Sequence, residues 1–201
     1  LNHQLIIASG NPGKVQEIKA ILGGLGIPIT SAGDLGINLD IQETGNTYSE
    51  NARLKAAAYQ GATHEIVLVD DSGLEVDILD GAPGIYSARF SPKDNATDAD
   101  RRRYLLDQLQ GKPRPWTAHF QCTAVLAAPD GKIIEKHGQC SGEILDEERG
   151  EGGFGYDPVF FIPEFNATMA ELQPEIKNAI SHRARAVSAL IPAIKGYFAL
   201  D

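Results

Sequence analysis

Cysteine is scarce in this 201-residue chain, which has only Cys122 and Cys140. Two thiols cannot build a disulfide framework, so a reducing cytoplasm is the expected compartment. Long apolar runs are missing as well, which excludes a membrane-spanning helix. The opening residues Leu1-Asn2-His3-Gln4 lack the basic region and apolar core of a secretory signal. Positive charge is in deficit: 18 Lys and Arg stand against 27 Asp and Glu, a net charge of −9. That balance disfavours non-specific association with DNA, RNA or anionic lipid, so neither nucleic acid nor membrane is an expected partner. A phosphate-bearing ligand would need a locally basic pocket, a metal ion, or both. With no internal repeat, low-complexity tract or linker, a single domain over residues 1–201 is expected.

What is present is an ordinary globular composition, 42% hydrophobic and 22% charged, enough to bury a real core. Gln4 to Ala8 reads as a strand and Ser9 to Lys14 as a loop. Val15, Ile18, Ile21, Leu22 and Leu25 recur at helical spacing until Gly23-Gly24 and Gly26 stop them. A strand near Ile27 to Thr30 completes a βαβ unit, which predicts an α/β sheet. Leu39 to Gly45 reads as extended, and Thr47 or Ser49 caps a helix through Asn51 to Ala58. Thr97 or Asp98 caps another over Arg101 to Leu109, whose Arg101-Arg102-Arg103 run reads as a solvated face. His119 to Ala128 alternates, with Ala118, Phe120, Cys122, Ala124 and Leu126 on one face. The turn Pro129-Asp130-Gly131 returns it through Lys132 to Ile144 as an antiparallel partner. A glycine-rich segment, Gly150 to Pro158, leads into the strand Val159 to Ile162. Val187, Leu190, Ile191, Ile194 and Phe198 follow at helical spacing, interrupted by Pro192.

The stretch Glu65-Ile66-Val67-Leu68-Val69-Asp70-Asp71-Ser72-Gly73 organises the rest. Ile66 to Val69 suits a buried strand, and two carboxylates follow where the chain is expected to turn out of the sheet. Carboxylates there can hold a divalent cation or orient a water. Taken alone, the pair reads equally as a polar strand-to-turn transition. Leu74 to Leu79 then reads as a separate strand, broken by Gly81-Ala82-Pro83-Gly84.

Other segments carry chemistry. Ser9-Gly10-Asn11-Pro12-Gly13-Lys14 offers small residues, backbone N–H groups and an ammonium after a strand and at a helix start, where phosphate binds well. It is not a P-loop, because Ala8 stands where the first glycine belongs. His119-x2-Cys122 and His137-x2-Cys140 lie in expected strands, where residues three apart face opposite ways, so zinc is rejected and the cysteines read as core fillers. Ser181 is a candidate helix cap. His182 and Arg183 oppose the dipole of the helix they open, a misfit that suggests a role, although such a pair is more often surface than site.

Six segments together resemble one family. They are Ser9-Gly10-Asn11-x-Gly13-Lys14, Glu50-Asn51-Ala52-x2-Lys55-Ala56, Asp70-Asp71-Ser72-Gly73-Leu74, the run Gly81 to Arg89, Gly153-Phe154-Gly155-Tyr156-Asp157-Pro158, and Ser181-His182-Arg183. In this order, from near residue 5 to near residue 195, they resemble the inosine/xanthosine triphosphate pyrophosphatases. The resemblance implies cleavage of ITP, dITP or XTP between the α and β phosphates, giving the monophosphate and pyrophosphate, with Mg²⁺ as cofactor. It implies an elongated α/β fold with a mixed central β-sheet flanked by helices, two lobes with an active-site cleft between them, and a homodimer.

The resemblance also implies roles. Ser9, Gly10, Asn11, Pro12, Gly13 and Lys14 form the triphosphate loop, and Lys55 adds a second ammonium. Asp71 is the general base and reaches Mg²⁺, Asp70 supports it, and Ser72 donates to substrate. Phe154, Gly155, Tyr156 and Asp157 resemble the base pocket, with Lys177, His182 and Arg183 as remaining nucleotide contacts. The family often places a metal-binding glutamate in an acidic pair before Thr-Gly; here the pair is Gln42-Glu43, so a ligand in the first place would be an amide, a poorer Mg²⁺ ligand, and Glu43 is taken as the ligand. His182 or Arg183 donating to O6 would favour hypoxanthine and xanthine over adenine. A pyrophosphatase for other modified nucleotides and a non-catalytic nucleotide sensor are the alternatives.

Overall fold

A computed structural model describes residues 3–200. Among them, seven strands form one mixed sheet in the order β2-β1-β3-β4-β5-β6-β7. These are β1 Leu5–Ile7, β2 Ile29–Ser31, β3 Ile66–Val76, β4 Thr117–Ala127, β5 Ile133–Ile144, β6 Phe160–Ile162 and β7 Ala167–Thr168. The helices are α1 Pro12–Leu22, α2 Tyr48–Thr63, α3 Asp98–Leu109, α4 Pro174–Ile180, α5 His182–Ser188 and α6 Ile191–Tyr197. β1 runs parallel to both β2 and β3, while β5–β6 and β6–β7 are antiparallel. The expected α/β class with a mixed, helix-flanked sheet is the one observed.

The chain divides into two compact units. The first holds the residues up to Asp71, then Cys122–Gly138, then those from Ser181 onward; the second holds Ser72–Gln121 and Gln139–Ile180. The first unit has a core on each face of its strands, as parallel strands covered on both sides require. On one face Leu5, Ile7, Ile66, Leu68, Cys122, Ala124 and Leu126 pack with Ile18 and Leu22 of α1 and with Val187, Leu190 and Ile194. On the other, Ile6, Val67, Val69, Val125 and Ala127 pack with Ala52, Ala56 and Tyr59 of α2. The second unit has its own core, in which Leu74, Val76, Ala118, Phe120, Cys140 and Phe160 meet Leu105 and Leu109 of α3. Cys122 and Cys140 are therefore core fillers, as expected. Burial pushes the Cys122 thiol up to about 12, far from a reactive thiolate.

Two expectations change and one holds. The strand from Ile66 does not turn out at Asp70: β3 continues unbroken to Val76, absorbing the expected strand from Leu74. Two carboxylates are tolerated inside it because both are paired, as described below. As expected, Pro192 interrupts the C-terminal helical pattern: it lies in the first turn of α6 and cannot supply the N–H that a helix continuous with α5 would need there. The polar segment before Ser181 is itself helical and forms α4, an element that its residue pattern does not announce.

Candidate active site

In the first unit the site grows from the point where β1 and β3 part. Ile7 is opposite Leu68, and Ala8 N–H donates to the Leu68 carbonyl at 2.9 Å. Beyond that rung β1 opens into Ser9–Asn11, and β3 carries on through Asp70 and Asp71. In the order β2-β1-β3, the connection through α1 leads to one side of β1 and α2 leads into the strand on the other. Open α/β sheets bind ligands at such a switch of direction, beyond the carboxyl ends of the strands.

Alternation along β3 sends the two aspartates to different helices. Ile66 and Leu68 face α1 and α5, and Asp70 continues that face. Its Oδ2 lies 3.0 Å from Lys14 Nζ of α1 and accepts from Arg183 Nε of α5 at 3.2 Å. Val67 and Val69 face α2, and Asp71 continues that face, its Oδ1 accepting from Lys55 Nζ at 2.7 Å. Lys55 also donates to Glu43 Oε1 at 3.0 Å, so one ammonium joins Glu43 to Asp71. Arg183 reaches back to Glu17 of α1 through Nη1.

Local sequence explains the placements. Asn11 caps α1, its Oδ1 accepting from Gly13 N–H at 2.9 Å and Lys14 N–H at 3.2 Å, while Ser9 Oγ accepts from Asn11 N–H at 3.2 Å. Those N–H groups, expected to face a phosphate, are already accepted by the asparagine. Pro12 to Lys14 is the first helical turn rather than loop. Glu43 is held by the N-terminus of α2. Gly45 N–H donates to buried Asn51 Oδ1 at 2.8 Å, and Asn46 N–H to Glu50 Oε2 at 2.6 Å. A Cβ at Gly45 would stand 2.6 Å from Glu50 Cβ, so only glycine allows this approach. Gln42, by contrast, is exposed. Gly138 does the same for α5: a Cβ there would lie 2.1 Å from the His182 carbonyl oxygen. Close packing on β5 thus buries His182 and Arg183 within α5.

Charge follows from these contacts. Burial works against ionisation of Asp70, but Lys14, Arg183 and Lys55 outweigh it and hold the carboxyl well below its usual range. Asp71 moves the other way: burial first, and the nearby Glu43, push it up against the pull of Lys55 and Lys14. Lys55 stays firmly protonated, since Asp71, Asp70 and Glu43 more than offset its burial. Adjacent carboxylates thus differ, one locked as an anion and one with heightened basicity.

The second unit presents a separate constellation. Asp157 Oδ2 accepts from Phe154 N–H at 2.8 Å and from Lys177 Nζ at 2.5 Å. The same ammonium lies 5.0 Å from the centre of the Phe154 ring. Gly153, with φ +71°, leaves no room for a Cβ, which would stand 2.1 Å from Asp157 Oδ2. Tyr156 is buried and donates to the Ser87 carbonyl at 2.9 Å, and burial raises its phenol. Ser72, half-buried, is the first β3 residue of this unit. From α3, Asp98 accepts from Gly155 N–H and Arg102 donates to the Gly155 carbonyl, both at 2.8 Å.

The structure thus gathers Lys14, Glu43, Lys55, Asp71, His182 and Arg183 within the first unit, and Phe154 to Asp157 with Lys177 within the second. Arg183 is 2% exposed. As placed it serves Asp70 through Nε and Glu17 through Nη1, two of the five N–H donors of a guanidinium. The surface reading of His182-Arg183 is overturned, because Asp70 and Glu17 neutralise a buried guanidinium. Sequence reasoning missed Glu17, Asp98 and Arg102. Glu17 had a signal, lying one turn beyond Lys14 on the same helix face. Arg101 and Arg102 are engaged rather than solvated, Arg101 with Asp98 and Arg102 with Glu148 and Gly155.

A doubly flanked sheet whose third strand carries paired carboxylates, met by ammonium groups from the helices on its two faces, defines an α/β protein equipped for an anionic, phosphate-bearing ligand. The chain belongs to the Ham1 family, whose model matches residues 5–193. A Geobacter sulfurreducens protein named dITP/XTP pyrophosphatase is 48% identical over 188 residues, covering 93% of this chain and 94% of its own. One of the same name from Desulforamulus reducens is 47% identical over 187 residues, 92% of each chain. Among solved structures, the Staphylococcus aureus Ham1 protein aligns with TM-score 0.83 and 39% identity over 96% of this chain and 99% of its own. A HAM1 protein from Coxiella burnetii aligns with TM-score 0.85 and 38% identity at the same coverage.

Proposed function

We propose that this chain is a nucleoside triphosphate pyrophosphatase acting on non-canonical purine nucleotides: dITP, ITP and XTP. The observation that carries the reading is the pair of adjacent β3 carboxylates, Asp70 and Asp71, each holding an ammonium from a different helix. Water attacks the α-phosphorus, the bond to the oxygen bridging α and β phosphates breaks, and the monophosphate and pyrophosphate leave. Asp71, with its raised basicity, accepts the proton of the attacking water. Lys14 and Lys55 neutralise charge that grows on the phosphate oxygens. Asp70 remains an anion throughout and holds Lys14.

The donor set fits Mg²⁺. Glu43 and Asp71 already share a cation, Lys55 Nζ, within 3.0 Å of each. Mg²⁺ characteristically takes one or two carboxylates and completes its shell with water and substrate phosphates. Glu43 and Asp71 would hold the ion, which supplies charge neutralisation and water activation.

Recognition of the purine is assigned to Phe154, whose ring can stack on a base, with Gly155, Tyr156, Asp157, Lys177 and Ser72. His182 and Arg183 are assigned to the 6-oxo group, Arg183 through guanidinium N–H groups other than those on Asp70 and Glu17. The whole chain acts as one functional domain, in the cytoplasm and as a homodimer, without nucleic acid. No helix among the described residues is long and apolar enough to cross a membrane.

Pyrophosphate release from ITP with Mg²⁺ tests the reading. Wild type is expected to turn over ITP and XTP far faster than ATP or GTP, and Asp71→Asn to lose about 10²–10⁴-fold in kcat. Binding of ITP without pyrophosphate release would favour a sensor instead.

A further inference from the structure

Lys55 sits on the same oxygens that a divalent cation would use. Its Nζ is 2.7 Å from Asp71 Oδ1 and 3.0 Å from Glu43 Oε1, and its side chain is only 16% exposed. An ammonium of unit charge and a divalent ion cannot both sit at contact distance from one pair of carboxylate oxygens. On the reading of Glu43 and Asp71 as metal ligands, we propose that Lys55 is a built-in counter-cation that competes with the metal, so that the protein alone binds a divalent ion weakly and takes it up together with a triphosphate. The polyanion draws the ammonium to its own oxygens, and the carboxylates pass from Lys55 to the metal. Lys55 is then a selectivity device as well as a phosphate ligand: it opposes loading by the free ion and permits loading by the ion–nucleotide complex.

The geometry supports an exchange over a short path. Lys55 is a residue of α2 with a flexible four-carbon stem, and Lys14 already brings a second ammonium within electrostatic reach of Asp71. Glu43 lies in a segment anchored at Gly45 and Asn46 to the start of α2. The carboxylates therefore stay in place while the lysine moves.

Mn²⁺ binding to protein without nucleotide, followed by electron paramagnetic resonance of the free ion, tests this. Replacing Lys55 by Met should tighten Mn²⁺ at least about tenfold, because it removes the ammonium that both carboxylates share at contact distance. Lys55→Arg keeps the charge and should show no such gain. The gain should vanish in Lys55→Met combined with Glu43→Gln. Mn²⁺ should also raise the melting temperature of Lys55→Met more than that of wild type, which reports site occupancy and folding together. Equal or weaker Mn²⁺ affinity in Lys55→Met, no binding by either protein, or a gain that survives Glu43→Gln would overturn the proposal. Hydrolysis by wild type is scored separately. A protein that cleaves ITP with Mn²⁺ affinity unaffected by Lys55 removes this inference alone; a tightened site without ITP cleavage removes the hydrolase reading alone.

Discussion

Asp70 has a fully buried carboxylate, and its charge is tolerable only because Lys14 and Arg183 both touch Oδ2. Its Oδ1 has no hydrogen-bond partner among the described residues, which makes the remaining contacts more important. Arg183 in turn stands between Asp70 and Glu17 at 2% exposure. Arg183→Met keeps the length and apolar bulk of the side chain but strips two carboxylates of a partner. Loss of one member of a buried ionic group costs about 3–5 kcal/mol, so urea unfolding should show a fall of that order. A loss below about 1 kcal/mol would mean that the pairing carries little of the fold's stability.

Residue types were legible where a motif stated them. Lys14, Lys55 and Asp71 were named from the sequence, and the structure gathers them in one unit. What the sequence could not state was pairing. That Asp70 and Asp71 diverge to different helices depends on β3 running on through them. The strand runs on only because ammonium and guanidinium groups from residues 14, 55 and 183 arrive to neutralise it. Without those long-range partners, two adjacent acids read as the end of a strand. Glu17 was missed for the same reason: its significance lies in a contact with Arg183, far along the chain.

Among the elements, α5 depends most on a single position outside itself. Gly138 of β5 would, with a Cβ, meet the His182 carbonyl oxygen at 2.1 Å and the Ala186 nitrogen at 2.6 Å. Both are backbone atoms, so no side-chain rotation relieves the clash and the helix has to shift. Gly138→Ala should cost about 1–3 kcal/mol through overpacking. It should also lower ITP turnover, because His182 and Arg183 move with the helix. Wild-type stability and turnover in this variant would show that α5 is not braced by β5. In the second unit α3 has a comparable task. Thr97 and Asp100 close a capping box at its start, and Asp98 and Arg102 grip Gly155 from its first turns. The cap was legible from Thr97 and the acids after it. The grip was not, since an arginine run among acids has the same pattern whether it faces water or a loop.

Across the whole molecule, the acidic balance sets the response to pH. Ion pairs and N–H donors hold several carboxylates below their ordinary values. Lys19 and Ser31 bring Asp34 down to about 2. Lys93 and Thr97 lower Asp100, the Lys132 N–H lowers Asp130, and the Thr168 N–H with Arg149 lowers Glu171. At Asp98 and Glu135 burial opposes the shift, but Arg101 and the Gly155 N–H prevail at the first, and Ser49 and Arg53 at the second. For each, the folded form binds its proton more weakly than the unfolded chain does. Their contribution is complete above the unfolded values near pH 4 and drains away as pH falls toward and through the depressed folded values. Asp34, Asp130 and Glu135 belong to the first unit, Asp98, Asp100 and Glu171 to the second, so neither should be spared. Urea midpoints should therefore be nearly flat from pH 7 to pH 5 and then fall steeply from about pH 4 toward pH 2. Asp98→Asn should be less stable than wild type at neutral pH, with the gap narrowing as pH falls below the ordinary aspartate value of about 4. A gap that stays unchanged all the way down the acid limb would place the contribution of Asp98 in its shape and neutral hydrogen bonding rather than in its charge.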